Sequence, residues 1–149
     1  MPHFTLQLTS RGPLLAAVVR VSEERHRALT QNNLPIPGQI TIRALIDTGA
    51  SITCMDPSVL RGLSLTPTGS ATINTPSTGN TPVSVDQYDV GIAIHGATAA
   101  QAPLVFNTIP VIHTELLLSQ GFHALIGRDI LEHCLFYYNG TSGLFTLAY

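Results

Sequence analysis

A chain of 149 residues with 44% hydrophobic residues is long enough for one domain with a sizeable core. Net charge is −2, only 11% of residues are charged, and all seven basic residues are Arg. That balance gives no electrostatic footprint for nucleic acid or an anionic membrane. The two cysteines, Cys54 and Cys134, form no CxxC pair and read as buried, reduced thiols acting as small hydrophobes. The six histidines do not pair at metal-ligand spacing, so neither a metal nor another cofactor is expected.

Taken in chain order, the pattern is mostly β. Residues 3–9 alternate Phe4, Leu6 and Leu8 against Thr5, Gln7 and Thr9, the mark of a half-buried strand. Arg11-Gly12-Pro13 forms a turn before a more buried strand over residues 14–21. The apolar run 13–19 is too short to span a membrane. It lacks a basic leader and is followed by Arg20, so it does not read as a signal peptide. These features point to a cytoplasmic protein. Residues 22–37 concentrate charge and two prolines and read as a solvated surface loop with room for a helical turn.

A strand over residues 39–46 runs into an acidic loop, followed by a short buried strand over 52–55. Asp56-Pro57 places an N-cap before a proline at the first helical position, so a short helix is expected over 57–61, ended by Gly62. Residues 66–82 are rich in Thr, Ser, Pro, Gly and Asn. They read as part of a long hairpin with its tip at Ser77-Thr78-Gly79-Asn80 and its returning strand over 83–94. Tyr88 on that strand reads as a packing residue. Further strands are expected over 103–112 and 124–126, then a short helix over 129–134. A final hairpin turns near Asn139-Gly140, where the sequon-like Asn139-Gly140-Thr141 is read as a turn. Many short strands, turn punctuation and two short helices make an all-β, barrel-like domain.

The chemistry concentrates in Ala44-Leu45-Ile46-Asp47-Thr48-Gly49-Ala50-Ser51. An apolar strand delivers a carboxylate into a tight turn flanked by small hydroxylic residues, the layout of an aspartic-protease catalytic loop. Such chemistry needs two aspartates sharing a proton, one acting as base on a water and the other hydrogen-bonding the scissile carbonyl. Gly49 allows the sharp turn and brings its N–H near the carboxylate. Thr48 is suited to lock two such loops together across a symmetric interface, and Ser51 to donate to the carboxylate. The motif occurs once. A second segment, Ala124-Leu125-Ile126-Gly127-Arg128-Asp129-Ile130-Leu131, supplies an apolar strand, a glycine, a charged pair and a helix start. Gly127 lets that strand pass close under the acidic loop, and Asp129 sits near the helix's positive end.

Together, Leu45-Ile46-Asp47-Thr48-Gly49-Ala50-Ser51 and Leu125-Ile126-Gly127-Arg128-Asp129 resemble the retropepsin-like, retroviral-type aspartic proteases. The resemblance implies a closed or partly open β-barrel with a flap hairpin. It also implies a homodimer in which Asp47 and its symmetry mate form the dyad, which accounts for the single motif. Residues 74–83 map to the flap, although Pro76, Pro82 and the lone Gly79 depart from a Gly-rich flap. Ser51-Ile52 stand where retroviral enzymes carry acidic partners for the arginine of the Gly-Arg motif, so Arg128 must find another partner. The chain's excess length over viral proteases falls in residues 22–37 and 95–122. Both termini enter the dimer sheet in retroviral enzymes, which would make residues 3–9 and 144–149 regulatory.

The expected function is an aspartic endopeptidase that binds an extended peptide or protein segment by strand addition. Catalysis would rest on Asp47, supported by Thr48, Gly49, Ala50 and Ser51. The substrate would meet Ile52, Ile73, Gly79, Val83 and Ile126, and Gly127, Arg128 and Asp129 would form the structural partner motif. The alternative is a non-catalytic peptide-binding or dimerisation module on the same fold.

Overall fold

The computed structural model describes residues 1–77, 79–115 and 118–149. Strand accounts for 45% of the chain and helix for 15%, which makes the class all-β. Among the described residues ten strands appear in the order β1 (His3–Gln7), β2 (Leu14–Val21), β3 (Ile40–Ile46), β4 (Cys54–Met55), β5 (Gly69–Ile73), β6 (Val83–His95), β7 (Leu104–His113), β8 (Ala124–Ile126), β9 (Leu135–Asn139) and β10 (Leu144–Ala148). Among the described residues three α-helices are interleaved: α1 (Glu23–Gln31), α2 (Pro57–Gly62) and α3 (Arg128–Leu131).

Seven strands form one sheet in the order β2-β3-β8-β4-β7-β6-β5. An additional antiparallel pairing of β2 with β6, from Ala16↔His95 to Val21↔Val90, joins its ends. The result is a closed six-stranded barrel, with β5 extending from β6 as the outer arm of a hairpin. Closure leaves the barrel strands no free edge. The strand alternation follows the pleat: β2 buries Leu15, Ala17, Val19 and Val21, and β6 buries Val90, Ile92 and Ile94. The remaining strands form a three-stranded sheet, β1-β10-β9. Its inner residues Phe4, Phe145 and Leu147 join the same core as Ile42, Met55 and Ile126 from the barrel.

The hairpin, the strand-to-helix junction at 126–128 and the N-capped helix at Asp56 stand as the sequence predicts. The Asp56 carboxylate accepts the Ser58 N–H at 2.8 Å. The segment read as a surface loop is different: it is the nine-residue helix α1. Ser22 caps it by accepting the Arg25 N–H at 3.3 Å, Glu23 and Glu24 sit in its first turn, and Arg27 pairs with Glu23 at 3.1 Å. No α1 residue is buried. The helix therefore has no apolar stripe to announce it in the sequence, and capping and charge placement supply the signal instead. Thr78, within the expected hairpin tip, lies outside the described residues. Its neighbour Gly79 has φ +59, the left-handed conformation that glycine adopts readily in a turn.

Candidate functional site

The acidic loop is fixed from two sides. β3 and β8 run parallel, pairing Ile46 with Ile126, and the Asp47 N–H donates to the Ile126 carbonyl at 3.0 Å. The loop then closes on itself, with the Ala50 N–H donating to the Asp47 carbonyl at 3.2 Å. The Gly49 N–H donates to Asp47 Oδ1 at 2.9 Å, as its place after Thr48 suggests. A Cβ on Gly49 would stand 3.1 Å from that same oxygen, so the glycine keeps the approach open.

Below the loop, Gly127 passes against the backbone of Ile52. A Cβ there would lie 2.7 Å from the Ile52 carbonyl carbon, a distance real side chains do not reach. Arg128 finds its partner in the loop's own backbone. Its N–H donates to the Ala50 carbonyl at 2.9 Å, and its Nη1 donates to the Thr48 carbonyl at 2.8 Å. A guanidinium on a carbonyl replaces the ion pair that the acidic residues of retroviral enzymes would provide, and it braces Thr48 directly.

Asp129 is bound on several sides. Its Oδ2 accepts the Thr53 N–H at 2.9 Å, and its Oδ1 accepts the Thr53 hydroxyl at 2.7 Å and the Ile130 N–H at 2.9 Å. Thr53 is fully buried, and its hydroxyl oxygen also accepts the Gly127 N–H at 3.1 Å. Thr53 thus links both halves of the motif pair. Sequence reading passed over it as one residue of an apolar run; its only signal is a hydroxyl among Ile52, Cys54 and Met55.

These elements floor a cleft of about 680 Å³. Its lining includes Asp47, Gly49, Ala50, Ser51 and Ile52 from the loop, and Thr72, Ile73, Asn74, Thr75 and Pro76 from the arm of the hairpin. Among the described residues Asp47 is the only acid of that lining, and no Arg belongs to it. Thr48 and Ser51 are exposed at the loop. The cleft also takes in Cys54, Ile112, His113, Thr114 and Leu125, none of which the sequence reading named as substrate contacts.

Three expected contacts do not reach the cleft. Ile126 is completely buried, because the alternation of β8 turns it into the core beside Ile46 and presents Leu125 to the cleft instead. Its burial contributes about 1.5–3 kcal/mol to the core. Gly79 and Val83 lie farther out along the hairpin and are not in the lining; Val83 pairs with Ile73 and is exposed. Tyr88 packs edge-to-face on His113, with ring centroids 6.4 Å apart, in keeping with its packing role.

Cys54 and Cys134 are both free and half-buried, so neither is sealed in the core as the sequence suggested. Burial pushes the Cys54 thiol up to about 11, with the Asp129 and Asp47 carboxylates adding to the effect. It therefore stays protonated at neutral pH and supplies no thiolate nucleophile. The chemistry of the cleft rests on a carboxylate. One carboxylate can act as base or as hydrogen-bond donor but cannot do both at once. Among the described residues no group of three His, Cys, Asp or Glu is placed to hold a metal ion. No helix among them is long and apolar enough to cross a membrane.

The aspartyl protease family model matches residues 10–130. The chain is also similar to a solved retropepsin-like aspartic protease from Rickettsia conorii, over 99% of this chain and 90% of that one. The TM-score is 0.56 at 17% identity, a likeness of fold. No curated protein matches.

Proposed function

Because this chain belongs to the aspartyl protease family, we propose that it is an endopeptidase active as a homodimer, with Asp47 from each of two copies forming the catalytic dyad. The observation that carries this reading is the placement of Asp47. Among the described residues it is the one acid in a cleft of about 680 Å³, on a loop held by its own turn, by Arg128 and by the close passage of Gly127. Such rigidity is wasted on an ordinary turn and is needed where two carboxylates must share a proton.

In the dimer, one Asp47 takes a proton from a bound water while the other, hydrogen-bonded to the scissile carbonyl, passes its proton to the carbonyl oxygen. The water oxygen adds to the carbonyl carbon to give a tetrahedral diol. The C–N bond then breaks as one Asp47 protonates the nitrogen and the other takes a proton from a diol hydroxyl, which leaves the pair sharing one proton again. Thr48, exposed at the loop surface, faces its counterpart across the dyad axis. The substrate lies extended under the hairpin arm, adding as a strand. Its side chains meet Ile52, Ile73, Leu125 and Ile112. With no Arg among the described residues of the cleft lining, uncharged and apolar side chains are preferred next to the cleaved bond.

Asp47→Asn tests the reading. Cleavage of a peptide library is expected to vanish, while sedimentation shows the dimer intact. Undiminished cleavage by that variant rejects the proposal.

A further inference from the structure

A second concavity lies beside helix α1 and shares no lining residue with the Asp47 cleft. It is a groove of about 500 Å³, within the size range of sites that hold small ligands. Leu29 of α1 lines it on one side, the strap of residues 34–37 on another, and Gly62 and Ser64 at the end of α2 complete it. Leu34 and Ile36 are 54% and 43% exposed, so two of the chain's large exposed hydrophobics line a single groove.

Arg25 supplies the one charge among the described lining residues. Its Nη2 donates to the Ser64 carbonyl at 3.0 Å, and its Nε is buried without a partner. The acids of α1 are engaged elsewhere: Glu23 pairs with Arg27 at 3.1 Å, and Glu24 accepts the Thr108 hydroxyl at 2.5 Å. A guanidinium with no acid partner, set among apolar walls, is matched by a carboxylate carried on an apolar group. The strap says what kind of molecule carries it. Pro35 and Pro37 hold Leu34 and Ile36 extended, and the Ile36 N–H and C=O pair with no other backbone group among the described residues. An extended backbone with a free donor and acceptor suits another peptide backbone, which an alkyl chain cannot supply. The shape is also preset. Asn33, which leads into the strap, and Ser64 have φ 53 and φ 52 and are the two non-glycine residues with positive φ among those described. Such backbones are uncommon and persist where the surroundings hold them.

From these observations we infer that the groove binds the free C-terminus of a peptide ending in an apolar residue. The terminal carboxylate takes the donors that Ser64 leaves on the Arg25 guanidinium, the last side chain enters between Leu29, Leu34 and Ile36, and the peptide backbone pairs with Ile36. The site goes beyond the protease reading and does not depend on it. On that reading, cleavage after an apolar residue releases ends of this kind.

Fluorescence anisotropy with the full chain and tagged peptides tests the site. The probes are Gly-Ser-Gly-Leu with a free carboxylate, the same peptide as its carboxamide, and Gly-Ser-Gly-Ser with a free carboxylate. The first is expected to bind about tenfold tighter than either of the others. Arg25→Gln is expected to erase the difference between carboxylate and carboxamide, and Ile36→Ser to weaken the first probe by roughly tenfold. Neither residue belongs to the buried core, so both variants keep the native melting curve. Asp47→Asn is expected to leave all three affinities unchanged. Equal binding of carboxylate and carboxamide by the native chain, or a difference that survives Arg25→Gln, overturns the inference. Loss of probe binding in Asp47→Asn does the same, because it places the peptide in the cleft. Displacement by dodecanoate at concentrations where untagged Gly-Ser-Gly-Leu does not displace assigns the groove to a fatty acid and overturns the peptide. A chain that shows the expected pattern but cleaves nothing keeps the groove and loses the protease reading. One that cleaves through Asp47 and binds no probe loses the groove alone.

Discussion

Asp47 and Asp129 are the same residue type in two similar strand-to-turn settings on neighbouring strands, and the fold treats them oppositely. Asp129 accepts the Thr53 N–H, the Thr53 hydroxyl and the Ile130 N–H. It has become a bracket between β4 and α3. Asp47 accepts the Gly49 N–H and stands in the cleft. A carboxylate whose lone pairs are filled by the protein stabilises the fold, and one left with capacity facing a cavity is free for chemistry. Two aspartates can be indistinguishable in sequence and still be told apart by how many donors reach them.

The sharpest way to break this comparison is to exchange the consequences. Asp47→Asn is expected to remove all measurable proteolysis and leave the free energy of urea unfolding within about 0.5 kcal/mol of wild type. Asp129→Ala is expected to cost about 2–4 kcal/mol in urea unfolding, because it strands the buried Thr53 hydroxyl and two backbone N–H groups. If the large stability loss followed Asp47 instead, the assignment of roles would be reversed. Gly127→Ala comes next, at about 1–3 kcal/mol, since its Cβ must push back the Ile52 backbone. Because Ile52 lines the cleft, KM for peptide substrates rises in the same variant. Arg128→Gln loses an exposed hydrogen bond to the Thr48 carbonyl and costs less than about 1 kcal/mol. Its larger effect is a drop in kcat as the Thr48 turn loosens.

The smallest effect is a pH dependence. The folded Cys54 thiol titrates at about 11 against an ordinary value of 9.0. The unfolded chain therefore releases its proton first, and the fold loses stability as pH rises from 9.0 towards 11. Cys54→Ser flattens that alkaline decline in thermal melts. Alkylation of Cys54 by iodoacetamide in the native protein stays slow until the same range.

Much of this was legible in the sequence because the decisive residues act locally. Gly49 must turn, Gly127 must be small, and Asp56 before Pro57 must start a helix; each announces itself by residue type alone. The partner of Arg128 was not legible, since a backbone carbonyl leaves no mark on residue identity. Ile126 was misplaced for a similar reason. A three-residue apolar strand carries no alternation from which to tell its core face from its cleft face, and only pairing with β3 decides that Leu125 looks outward. Helix α1 escaped because it buries nothing. The far wall of the cleft, with Ile112, His113 and Thr114, depends on contacts between strands distant in the chain.

The parallel pair of β3 and β8 carries a consequence for synthesis. Asp47 leaves the ribosome long before Ala124–Ile126, yet its N–H is held by the Ile126 carbonyl and its turn by Arg128. A nascent chain that has not yet produced β8 and α3 cannot organise the acidic loop, and contacts of such long sequence separation form late. The cleft is therefore among the last parts of this fold to be organised as the chain emerges.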